Sequence, residues 1–219
     1  SAQNFFLPQL SNEFSRSDRS GKFVFLSHAA IQASILTGAI LILVVNLVGP
    51  YAIKALFSGK YDELIPLIST FAILNGIRVF KSGPGQVALA AGHTSNNMIA
   101  NLPRVLALPL AWLLLESGYS LVTILWLGCG AEMIGYTIAI LLVHRRLRIP
   151  LSQLSFLVCT TLVFLLIASG LVVSLWDKGT PHITNHVLLI LNFALLVGIM
   201  RTLRQSFQNT GFSRRGISS

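Results

Sequence analysis

YDELIPLISTFAILNGIRVFKSGPGQVALAAG, residues 61–92, is apolar enough to enter a bilayer and yet carries two cations near its middle. Read as one continuous helix from Glu63 to Ala91, it is about 43 Å long at 1.5 Å per residue, enough for a tilted path across a membrane. Asn75, Arg78, Ser82 and Gln86 recur at spacings of three and four and share one face, with Lys81 beside the stripe. An alternative follows from Gly83-Pro84-Gly85, which could end the helix near Phe80 and leave Arg78 and Lys81 snorkelling to an interface. The apolar run GQVALAAG after the proline favours continuation, because membrane helices tolerate a proline.

The stretch NMIANLPRVLALPLAWLLLESG, residues 97–118, repeats the device. Asn97, Asn101 and Arg104 fall on one face of an otherwise apolar span, and Arg104 is too far from either end to snorkel easily. Charges at bilayer depth are costly and normally face a bundle interior or a watery cavity. Two adjacent helices that aim Arg78, Lys81 and Arg104, with Asn75, Gln86 and Asn101, into one cavity predict a site for an anionic ligand.

Composition agrees with a membrane protein. Of the 219 residues 53% are hydrophobic and 11% charged, with mean hydropathy +0.73, which excludes an ordinary soluble domain. The fold class predicted is all-α, a polytopic transmembrane helix bundle. The net charge of +9 gathers at the ends of spans, so topology explains it and a nucleic-acid partner is not implied. Cys129 and Cys159 both fall within apolar spans and form neither a disulfide framework nor a metal pattern.

Residues 1–10 read as the last turns of a span stopped by Pro8, and the chain as the C-terminal part of a longer protein. A polar segment, SNEFSRSDRSGK, precedes a first full span over Ser27–Val48, whose regular part ends at Gly49-Pro50. AIKALFSGKYDE makes a short connection, with a turn of helix at the interface. The further spans are Glu63–Ala91, Met98–Leu115, Leu121–Val143, Leu154–Leu175 and His186–Met200, with turns at GHTSNN and Glu116-Ser117-Gly118 and a basic stop at HRRLRIP. Six full spans result, plus the end of a truncated one. Lys and Arg residues number ten on the side of the N-terminal segment, the HRRLRIP loop and the tail, against three on the other, which places both ends of the piece in the cytoplasm. The last two spans are apolar almost all round and read as peripheral.

Glu132 is the one carboxylate at membrane depth, and it shares a helix face with Cys129 and Tyr136. A structural ion pair with Arg104 on the neighbouring helix is the favoured reading, and a proton- or cation-linked switch the alternative. His182 and His186, with Asp177 nearby, are read as a polar loop, since no third ligand completes a metal site. The glycines of SGPGQ lack the pattern of a phosphate-cradling loop. No paired carboxylates, Ser-His-Asp or Cys-His arrangement points to catalysis, and no cofactor is implied.

The order LPQLS, basic segment, span, GPYAIKALFSGKY, then the Arg-bearing helix ending ALAAGHTSNN and the run NLPRVLALPLAWLLLESG, resembles the C-terminal half of polysaccharide and O-antigen flippases. These belong to the multidrug/oligosaccharidyl-lipid/polysaccharide exporter superfamily. The resemblance covers Leu7 to about Arg148; FSGKY and the AAGH turn are its most specific parts. It implies a C-terminal lobe of a MATE-like exporter over residues 1–150, with an appended pair of transmembrane helices and a cytoplasmic tail over 151–219. It further implies a bacterial inner-membrane protein that moves a polyprenyl-diphosphate-linked oligosaccharide by alternating access, without covalent chemistry, alongside a polysaccharide polymerase and glycosyltransferases. The cationic cavity of such flippases agrees with Arg78, Lys81 and Arg104. Family members often carry a basic residue after AAG, where this chain has His93. The alternatives are a cation-coupled multidrug antiporter of the same superfamily, or a membrane-embedded glycosyltransferase or ligase acting on lipid-linked sugars.

Overall fold

A computed structural model describes residues 2–15, 21–57, 60–61 and 63–149, together with Val187, Ile190, Ala194, Val197 and Arg201. The described chain is helical: α1 (Ala2–Ser15), α2 (Gly21–Phe57), α3 (Leu64–Ala90), α4 (Ser95–Glu116) and α5 (Leu121–Leu147). α2 from Lys22, and α3, α4 and α5 throughout, are long and apolar enough to cross a membrane. The spans expected over Leu154–Leu175 and His186–Met200 lie outside the described residues, apart from four isolated helical positions in the second. So do Cys159, Asp177, His182 and His186.

Two expected helix ends are corrected. Pro8 does not stop α1, which runs on to Ser15, and Pro50 does not stop α2, which runs on to Phe57 through the segment read as a connection. Proline removes one donor from the helix ladder, which at Pro50 leaves the carbonyl of Asn46 without its usual partner. Unwinding an apolar helix in lipid would expose many more backbone groups, so the helix continues. The same reasoning carries α3 through Pro84 and α4 through Pro103 and Pro109. Arg78 and Lys81 therefore sit mid-helix, as the continuous reading of 63–91 requires.

Glycines end two of these helices. Beyond α3, Gly92 takes φ 75°, its N–H donates to the Leu89 carbonyl, and that of His93 donates to Ala88. After α4, Gly118 takes φ 78°, and the N–H groups of Gly118 and Tyr119 donate to Leu115 and Leu114. Both are Schellman caps, which need a left-handed residue that glycine adopts without cost from a side chain. The turn expected over GHTSNN is accordingly shorter, because Ser95, Asn96 and Asn97 already belong to α4. Ser120 caps α5, its Oγ accepting from the Thr123 N–H at 3.3 Å.

α3 is the centre of the bundle and packs on α2, on α5 and on α1. Its buried stripe Ile73, Ile77, Phe80 and Val87 meets Ile31, Ile35, Ala39 and Ile42 of α2 in one apolar core. The crossing is close. A Cβ on Gly38 would lie 2.5 Å from the Gly76 carbonyl oxygen, and one on Gly76 would lie 2.4 Å from the Ile42 side chain. Small residues at such crossings let membrane helices gain van der Waals contact where lipid supplies no hydrophobic drive. α4 packs chiefly on α5 and touches α3 only lightly; of its residues, Asn96 and Ala100 alone are buried.

Candidate functional site

Glu132 lies on the face of α5 that packs against α3. Cys129, one turn before it, is buried with Sγ 3.9 Å from the Thr70 carbonyl, and Tyr136, one turn after, has its ring 6.2 Å from that of Phe80. This placement makes the carboxylate inaccessible, at 1% exposure. A buried carboxylate is tolerable only if it is paired and its oxygens are hydrogen-bonded. Three cations meet that need. The Arg78 Nε donates to Oε1 at 3.1 Å, the Lys81 Nζ donates to Oε2 at 2.6 Å, and the Arg104 guanidinium also donates to Oε1.

The sequence explains why those three groups converge. Arg78 and Lys81 are three residues apart on α3 and so point the same way. On α4, Asn101 and Arg104 repeat the spacing, and the Lys81 Nζ also donates to Asn101 Oδ1 at 2.8 Å. Gly135, one turn beyond Glu132, opens the path. A Cβ there would lie 2.4 Å from the Ala100 carbonyl oxygen and 3.6 Å from the Lys81 Nζ. Without that side chain α4 approaches α5 closely, and Lys81 reaches across beneath α4. The resulting cluster joins α3 and α4, which otherwise barely touch, through a residue of α5.

The ion pair expected between Arg104 and Glu132 is thus present, but as one arm of a three-cation cluster with a formal excess of two positive charges. Arg78 and Arg104 keep 39% and 43% of their side chains exposed, while Lys81 keeps 14%. An arginine that binds Glu132 through part of its fork has further N–H groups to offer elsewhere.

Beside the cluster lies a cleft of about 620 Å³ between α1, α3 and α4. Arg78, Lys81, Ser82, Gln86 and Leu89 line it from α3, Asn97 and Asn101 from α4, and Leu7 and Pro8 from α1. Of the residues predicted for the cavity, Arg78, Lys81, Gln86 and Asn101 line this cleft. Asn75 and Arg104 do not: Arg104 is drawn to Glu132, and Asn75 donates to the Phe71 carbonyl at 2.9 Å and accepts from Arg78 at 3.4 Å. Asn97 shares the helix face of Asn101, a signal the sequence carried. The part played by Leu7 and Pro8 had no such signal, because a neighbouring helix brings them in. Among the described residues no three His, Cys, Asp or Glu side chains gather as metal ligands.

Comparison of this chain with protein-family models, with curated proteins and with solved structures gives no match.

Proposed function

We propose that this chain is the C-terminal lobe of a MATE-like flippase, which carries an anionic, polyprenyl-diphosphate-linked oligosaccharide or related polysaccharide precursor across a bacterial inner membrane. The observation that carries the reading is the excess of cations on membrane-length helices beside a cleft. Arg78, Lys81 and Arg104 face one Glu132, and two of them line the cleft. A diphosphate passing bare through hydrocarbon would lose its hydration without return. Fixed cations replace that hydration, and a guanidinium fork matches phosphate oxygens. Binding near mid-membrane between helices suits alternating access, in which the substrate crosses unchanged.

A cation-coupled drug antiporter of the same superfamily fits less well, because its cavity would be led by carboxylates, whereas here one carboxylate is already covered by three cations. Export of lipid-linked sugar by cells carrying Arg78→Ala tests the proposal. Export should fall sharply while the protein inserts at normal levels, and Arg78→Lys should restore it in part, since the charge returns without the fork. Unchanged export by the alanine variant would remove the cations from the transport pathway. Appearance of a new glycosidic bond would point to a transferase instead.

A further inference from the structure

Gln86 is 7% exposed and lines the cleft, yet its carboxamide makes no hydrogen bond among the described residues. Gln86 is not alone in this among the described residues, since Asn46 Oδ1 and both polar atoms of Asn96 are also without partners, but of these residues Gln86 is the one that borders the cleft. The side chain of Asn97, half-buried on α4, also lines the cleft and has no hydrogen-bond partner among the described residues. Gly85 places it there. Asn97 Oδ1 lies 2.9 Å from the position a Cβ on Gly85 would take, so the glycine leaves room for the α4 carboxamide to lie against α3 beside Gln86. Two unpartnered carboxamides from two helices therefore border one space, next to the cations.

We propose that the cleft is a two-part site, in which Gln86 and Asn97 bind the hydroxyls of the sugar nearest the phosphate that Arg78 and Lys81 hold. This rests on reading the protein as a transporter of lipid-linked sugars. The chemistry separates the two parts. An ionised phosphate only accepts hydrogen bonds, so it suits Arg and Lys but leaves a carboxamide oxygen with nothing to receive. A sugar hydroxyl both donates and accepts, and neighbouring hydroxyls match the paired O and NH₂ of a carboxamide. Leu7, Pro8 and Leu89 supply apolar surface for the C–H faces of a ring. At about 620 Å³ the cleft is the size of a small-molecule site, so it takes the phosphate and the adjoining sugar and leaves the distal oligosaccharide outside.

Binding to the purified full chain in detergent tests this, with two probes: a polyprenyl diphosphate, and the same lipid carrying a single hexose. The unmodified protein should bind the sugar-bearing probe more tightly. Gln86→Leu and Asn97→Ala should each reduce that preference by about fivefold, the worth of one neutral hydrogen bond, and leave the bare diphosphate unaffected. Arg78→Ala should weaken both probes. Thermal midpoints show which variants fold; if Gln86→Leu does not, Asn97→Ala on the more exposed α4 decides alone. Equal binding of the two probes, or equal weakening of both by the carboxamide variants, overturns the sugar subsite and leaves the cationic site standing. Binding of neither probe overturns the transporter reading and the subsite with it.

Discussion

The Lys81 Nζ lies 2.6 Å from Glu132 Oε2, and this contact ties α3 to α5 inside the apolar bundle. Lys81 is the most buried of the three cations on Glu132, and its ammonium also reaches Asn101 on α4. One side chain thus touches both of the helices that face α3 on this side.

The cluster is asymmetric, and so are the expected costs of breaking it. Glu132→Gln would leave three cations facing one another, a loss of the order of 3–5 kcal/mol for an uncompensated buried group. Lys81→Met would leave Glu132 with two guanidinium partners and cost about 1.5–3 kcal/mol, the worth of a hydrogen bond to a charged group. Arg78→Gln should cost less again, because Arg78 is the more hydrated partner. Thermal unfolding in detergent should rank the variants in that order. A greater loss for Lys81→Met than for Glu132→Gln would mean that packing of the lysine stem, rather than charge balance, holds the cluster.

The α2–α3 crossing gives a sharper steric prediction. Gly38→Ala would drive its Cβ to 2.6 Å from the Phe80 ring and 2.5 Å from the Gly76 carbonyl, so the helices must separate. Overpacking of this kind typically costs about 1–3 kcal/mol. Gly130→Ala is the control, since a Cβ there meets nothing within 4 Å among the described residues. After heating, the Gly38 variant should lose monodisperse protein at a lower temperature than the parent, and the Gly130 variant should not.

How far the sequence reached depends on which physical signal was local. The apolar lengths of α2 to α5 and the cations at Arg78, Lys81 and Arg104 are visible in composition and three-four spacing, and the structure keeps all of them. The helix ends expected at Pro8 and Pro50 are not ends, and at Pro50 the reason is that unwinding an apolar helix in lipid exposes more backbone than the one donor proline removes. Lys81 was placed beside the polar stripe and not at its centre. Its role depends on Gly135, which lies on another helix and is legible only once α4 and α5 are packed. Gln86 was picked out by spacing, but that its carboxamide lacks a partner is a property of the assembled cleft.

Topology can be tested directly. The basic residues Arg145, Arg146 and Arg148 lie at the end of α5, and the count of Lys and Arg in the sequence leads us to expect this end and the C-terminal tail in the cytoplasm. Single cysteines introduced after Arg148 and after Arg215, in a background without Cys129 and Cys159, should resist an impermeant thiol reagent in intact cells. They should react once the membrane is opened. Labelling of either from outside would overturn that orientation.

Arg104 and Glu132 offer the test that separates a pair from a cluster. In an isolated pair, removing both partners relieves much of the cost of removing one. Here Arg104→Ala with Glu132→Ala still leaves Arg78 and Lys81 without their shared carboxylate, so the double variant should recover only part of the loss. A double-mutant cycle on unfolding in detergent should give a coupling within about 0.5–3 kcal/mol, as for residues in direct contact. The same cycle in a Lys81→Met background should give a larger value. With one competitor gone, the carboxylate leans more on Arg104, and fewer cations are stranded when it is removed. Additivity in both backgrounds would mean that Arg104 and Glu132 do not meet. An equal coupling in both would mean that Lys81 and Arg104 act on Glu132 independently, and the three-cation cluster would reduce to separate pairs.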